Sequence, residues 1–197
     1  MVKKAEQRRK QILKAAFQAA SEKGYESVTL QDIAEYAQVS KGVTNYYFKN
    51  KADVFAHLFE WLTSRIYEKE VKSIDEKETA IEKLEAYINQ VFTSPNENKT
   101  FYRVYLDFLA QVKNNNRYKE INQQFYENCW SISKNIITLG IQENVFTVDN
   151  IEQSAISIRC MIDGSLIQWL MRDDDSLHNY YRIVCYESIL QILKYKK

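Results

Sequence analysis

The chain has 197 residues, 45% of them hydrophobic, with 27 Lys/Arg against 26 Asp/Glu and a formal net charge of +1 at pH 7. That length builds one large domain or two small ones around a packed core. It contains no run of about 18 uncharged apolar residues, so no membrane span is expected. Its basic start, MVKKAEQRRK, has no apolar stretch behind it, so it is not read as a secretory signal and a cytoplasmic protein is expected. One proline and four glycines leave few chain breakers, which favours an all-α fold of about nine helices.

Residues 4–23 place Ile12, Leu13, Ala16, Phe17 and Ala20 three and four apart, the period of an amphipathic helix, and Gly24 supplies its C-cap. After an ESVT loop, Thr29 with Asp32 three residues later reads as the N-cap of a second helix. Its inner side is Leu30, Ile33, Ala34 and Ala37. Gln38 and Val39 make a turn, and Ser40 caps another short helix running to about Phe48. From Asn50 a longer helix carries Val54, Phe55, Leu58, Phe59, Leu62 and Ile66. Charges dominate 68–85, and Ile81, Leu84, Ile88, Val91 and Phe92 mark a further helix that Pro95 breaks. Phe101, Tyr105, Phe108, Leu109 and Val112 define the next, with a turn at Asn114–Asn116. Ile121, Phe125, Cys129, Ile132, Ile136 and Leu139 define a long one ending near Gln142–Asp149.

The last two helices are apolar on two faces. About 150–171 carries Ile151, Ala155, Ile158, Ile162, Leu166 and Trp169 on one side, with Ile156, Cys160, Ile167 and Leu170 near the other. About 177–195 repeats the pattern with Tyr181, Cys185, Ile189 and Ile192 beside Ile183, Tyr186, Leu190 and Leu193. A helix apolar on most sides must be covered on most sides. A second copy of the same pair would cover it through a two-fold interface, so a homodimer is expected.

Residues 28–51, VTLQDIAEYAQVSKGVTNYYFKNK, hold two short helices across a tight turn followed by an aromatic and basic segment. Residues 1–51 carry a charge of +5 and the remainder −4, as a DNA-contacting head on a separate body would show. Ser40 and Lys41 at a helix start suit phosphate, and Gly42 lets the backbone approach closely. Val43, Thr44 and Asn45 lie along the first turns, where apolar and amide groups meet base edges. Tyr46 and Tyr47 combine packing rings with hydroxyls that reach phosphate oxygens. Lys51 adds a point charge, and Thr29 stands at another helix start.

This stretch resembles the TetR family of bacterial transcription regulators over about residues 8–55. The resemblance rests on the helix ending in Lys23-Gly24-Tyr25, Ile33-Ala34 within Thr29–Ala37, Val39-Ser40-Lys41-Gly42, and Tyr46-Tyr47-Phe48-Lys49-Asn50-Lys51. It implies a helix-turn-helix DNA-binding head over 1–50 and a ligand-binding and dimerisation body over 51–197. By the same resemblance, Thr29, Lys41, Tyr46, Tyr47 and Lys51 touch the DNA backbone and Val43–Asn45 read bases. Where many members have Thr-Leu-Tyr after the glycine, this chain has Val43-Thr44-Asn45. That is closer to the subgroup with choline-responsive members. Met161-Ile162-Asp163-Gly164 followed by Gln168-Trp169-Leu170 resembles the penultimate helix of fatty-acid and choline regulators, and Gly164 would let helices approach at a dimer seam.

The family's members release DNA when a small molecule binds the body. A homodimeric repressor of a palindromic double-stranded operator, released by a small and largely apolar effector, is therefore expected. Tyr105, Phe108, Phe125, Cys129, Trp130, Met161 and Trp169 are the candidate pocket residues. Cys129, Cys160 and Cys185 are far apart without a CxxC pair and read as buried free thiols. No catalytic, metal or cofactor site is expected, because no GxSxG elbow, phosphate loop, HExxH or Cys/His cluster is present. The alternatives are a DNA-binding dimer without an effector, and an enzyme with an aromatic substrate cavity.

Overall fold

The computed structural model describes residues 2–196, with side chains from Lys4 onward. Among these, nine α-helices and two short 3-10 turns make up the regular structure. They are α1 (Val2–Lys23), α2 (Leu30–Tyr36), α3 (Lys41–Tyr47), α4 (Lys51–Asp75), α5 (Ala80–Val91), α6 (Pro95–Gln111), α7 (Asn116–Gln142), α8 (Ile151–Arg172) and α9 (His178–Ile192). The chain divides into two units: Met1–Ser64 with Arg103–Gln123, and Arg65–Tyr102 with Gln124–Lys197. The all-helical expectation is met.

In the first unit, α1 buries Ile12, Leu13, Ala16 and Ala20. Each large side chain removed from water in this way contributes about 1.5–3 kcal/mol. α1 ends at Gly24, whose φ of +75° suits a residue without a Cβ, and the Gly24 N–H donates to the Ala20 carbonyl. The following turn is tied down when the Tyr25 N–H donates to Asp107 Oδ2 at 2.7 Å. Phe55, Phe59, Phe108 and Tyr118 fill the interior, with the Phe59 and Phe108 rings stacked 3.7 Å apart. Arg117 closes one side with ion pairs to Asp53 and Glu60.

In the second unit, Thr79 and Glu82 form a reciprocal cap at the start of α5, and Asn150 caps α8 through the Gln153 N–H. Pro95 does not merely end the preceding helix. It is the first residue of α6, where its missing N–H would have no helical partner and its fixed φ already fits. α8 and α9 pack side by side, burying Ala155, Ile158, Ile162, Leu166, Cys185 and Ile189. Their outer row stays open: Ile156 and Ile183 are 38% and 39% exposed, Cys160 is exposed, and a Cβ on Gly164 would meet nothing within 4 Å. Cys160 thus departs from the expected buried thiol, because it lies on this outer row and not on the inner one.

Candidate nucleic-acid interface

α2 and α3 are set by their caps. The Thr29 hydroxyl accepts from the Asp32 N–H and donates to Asp32 Oδ2, while the Thr29 N–H donates to the same carboxylate. The Lys23 ammonium joins that carboxylate at 2.6 Å, and these contacts hold the Asp32 carboxyl well below the usual carboxylate range. Ala37 closes α2. Gln38, at φ 52°, turns the chain, and Ser40 starts α3 by accepting from the Val43 N–H at 3.4 Å.

α3 is only seven residues long, and its two faces differ sharply. Lys41, Gly42, Asn45 and Tyr46 are exposed, Tyr46 by 84%, and Val43 and Tyr47 are half-buried. Thr44 is fully buried, and its hydroxyl has no hydrogen-bond partner. Each helical residue turns about 100°, so position 44 lies nearly opposite position 46. The expected base-reading role of Thr44 is therefore corrected: its side chain packs inward, and only Val43 and Asn45 of that trio remain available. Phe48 is core, with the Arg9 guanidinium 4.9 Å from its ring centre.

Two expected backbone contacts have internal partners. The Lys51 ammonium donates to the carbonyls of Tyr25 and Glu26 at 3.0 and 3.2 Å and lies 4.5 Å from the Tyr25 ring centre. The Thr29 hydroxyl serves the α2 cap, although its side chain is exposed.

The candidate pocket residues divide between the units. Tyr105 and Phe108 belong to the first, where Tyr105 donates to Asn122 Oδ1 and Phe108 stacks on Phe59. Phe125, Cys129, Trp130, Met161 and Trp169 belong to the second. There Trp169 is wholly buried at the end of α8, its Nε1–H donating to the Asp174 carbonyl and its ring edge meeting His178. Trp130 stacks on Tyr126, and its buried Nε1–H has no partner.

Beside Phe125 and Cys129 in the second unit lies a charged core that pattern reading missed. Arg159 is buried in α8 and pairs with Asp163 one turn on. It also reaches Cys129 Sγ and the Tyr102 hydroxyl, and its guanidinium lies 5.0 Å from the Phe125 ring centre. Glu70 is buried nearby, and loss of solvation raises its carboxyl to about 7 against the pull of Arg159. Burial likewise pushes the Cys129 thiol up to about 12. The signal lay in the sequence as an Arg and an Asp four apart on the otherwise apolar inner face of 150–171. Among the described residues no cluster of three or more His, Cys, Asp or Glu could hold a metal ion, and no helix is long and apolar enough to cross a membrane.

An N-terminal helix-turn-helix within an all-helical chain defines the class of helix-turn-helix regulators. The family model for bacterial regulatory proteins of the tetR family matches residues 12–58, and that for the C-terminal part of BetI-type transcriptional repressors matches 80–194. The chain belongs to the TetR family of transcriptional regulators, with a BetI-type C-terminal region. It is 28% identical over 187 residues to the fatty acid metabolism regulator protein of Bacillus subtilis, covering 93% of this chain and 92% of that one. Among solved structures it resembles FadR from Bacillus subtilis in complex with stearoyl-CoA, with a TM-score of 0.71, 26% identity and coverage of 89% and 96%. It also shares its fold with a regulator from Saccharomonospora viridis in complex with choline, with a TM-score of 0.86, 19% identity and coverage of 94% and 96%.

Proposed function

We propose that this chain is a cytoplasmic homodimeric repressor whose 1–50 head binds a palindromic operator and whose 51–197 body responds to a small, largely apolar effector. The observation that carries the DNA-binding role is the exposed row Lys41, Gly42, Asn45 and Tyr46 on α3, turned away from the inward Thr44. A short helix with one open polar face fits a major groove, with phosphate contacts fixing register and base contacts fixing sequence. Pairing is supported by the open outer row of α8 and α9, where Ile156, Cys160, Gly164 and Ile183 await a cover.

The effector binds in the body, with Phe125, Cys129, Trp130 and Met161 as its candidate contacts. An apolar ligand is supported by the stearoyl-CoA bound to the Bacillus subtilis FadR structure. Release requires the effector to bind the non-DNA-binding conformation better, and a coupling of about 1–3 kcal/mol is typical. The test is binding of the full chain to duplexes from its own promoter region, read against salt and with acyl-CoA added. Two chains per inverted repeat, affinity falling with salt and release by acyl-CoA are expected. A monomer that ignores the repeat would overturn the reading.

A further inference from the structure

α1 and α3 enclose a groove of about 510 Å³ lined by Lys4, Ala5 and Arg8 on one wall and by Ser40, Gly42, Val43, Tyr46 and Tyr47 on the other. We propose that this groove seats a DNA phosphate strand, with Lys4 and Arg8 as phosphate contacts beside the bases that α3 reads. The assignment rests on the DNA-binding reading above and adds residues that lie outside the helix-turn-helix.

The lining has the chemistry of a polyanion site. It holds two cations, a serine hydroxyl and two phenols, and no carboxylate. Ala5 and Gly42 keep it open: a Cβ on Gly42 would meet only Ser40 Oγ, at 3.8 Å. Three other cations of the head are engaged elsewhere. Lys10 pairs with Glu6, Lys23 with Asp32, and Lys51 with two carbonyls. Lys4 and Arg8 form no ion pair among the described residues.

Arg8 is also held in place. Its Nη1 donates to Gln11 Oε1 at 2.8 Å, and Gln11 Nε2 donates to the Ala37 carbonyl at 2.6 Å. Ala37 is the residue that closes α2 before the turn. The turn between α2 and α3 therefore fixes the guanidinium on the groove wall, so little side-chain freedom is lost when a phosphate arrives. A planar guanidinium suits two phosphate oxygens, and the Lys4 ammonium adds a point charge one helical turn away.

The experiment measures binding of the full chain to its operator duplex and to a scrambled duplex over a range of salt. Wild type, Lys4→Ala, Arg8→Ala, the double variant and Arg8→Lys are compared, with thermal melts to show that each is folded. Each phosphate contact contributes about 0.9 to the slope of log affinity against log salt. Because each substitution removes one contact from both protomers of the dimer, each alanine variant should flatten the slope by about 1.8, and the double variant by about 3.6, equally on both duplexes. The operator-to-scrambled ratio should hold, and Arg8→Lys should keep the wild-type slope. A folded double variant with the wild-type slope overturns the groove assignment and leaves the DNA-binding reading intact. A wild-type chain that binds neither duplex overturns both.

Discussion

Arg159 and Asp163 stand one turn apart on α8 and close a two-pronged ion pair inside the second unit, one prong running from Nε to Oδ2 at 3.0 Å. The pair lies beside Glu70, Tyr102 and Cys129, so its cation serves more than one neighbour. Removing one member of a buried pair costs about 3–5 kcal/mol, because the survivor keeps its desolvation penalty. Arg159→Met should lower unfolding stability by that amount, measured by urea titration. The double variant Arg159→Met/Asp163→Leu should recover most of the loss. A single variant within about 1 kcal/mol of wild type would show that the pair does not hold the unit together.

Glu70 gives this core a pH dependence. Its carboxyl titrates near 7 in the folded chain because burial disfavours the charged form, with Arg159 opposing. The unfolded chain releases that proton near the ordinary value of about 4.3. Between those values the folded state binds more protons, so the contribution of Glu70 is fully present below about 4.3 and is lost as pH rises to about 7. Tyr87, Cys129 and Arg159 also face this region but do not titrate in that window. Glu70→Gln mimics the protonated acid. It should exceed wild type by only about 1 kcal/mol at pH 5 and by on the order of 3–4 kcal/mol at pH 8. Urea midpoints across pH that run parallel for the two proteins would refute the assignment.

Thr44 separates packing from recognition. Its hydroxyl is buried without a partner, which costs free energy that an apolar isostere avoids. Thr44→Val should leave stability unchanged or raise it by about 1 kcal/mol, with operator affinity and sequence preference as in wild type. A thermal melt and a panel of base-substituted operators check this. Altered preference at one base position would return Thr44 to the reading surface.

How far the sequence was legible depends on the length of each pattern. α1, α4 and α7 span 22, 25 and 27 residues, enough turns for the apolar period to fix which face is inward. The caps at Thr29 and Ser40 were readable because the side chain and its acceptor role sit at a fixed offset. α3 has only seven residues, so its pattern could not fix the rotation that turns Thr44 inward. The partners of Lys51 were hidden too, because the Tyr25 and Glu26 carbonyls are about 25 residues away and backbone groups carry no residue signature. Glu70 looked like one charge among many in 68–85, and only tertiary packing sets it apart.

Gly140 near the end of α7 tests how tightly the second unit closes. The chain folds back there, with the Val145 and Phe146 N–H groups donating to the Gly140 carbonyl at 2.9 and 3.0 Å. This lays the buried Phe146 ring against the glycine, and a Cβ at position 140 would fall within 2.6 Å of its Cγ, Cδ2 and Cε2. Gly140→Ala should cost about 1–3 kcal/mol as overpacking, more if the ring is expelled. Phe146→Ala alone should cost about 3–5 kcal/mol through lost burial. With the ring gone, adding Gly140→Ala should become neutral or stabilise by up to about 1 kcal/mol, since alanine favours a helix over glycine. Urea titration of the four proteins gives the coupling directly, and additive losses would mean that the ring is not what position 140 meets.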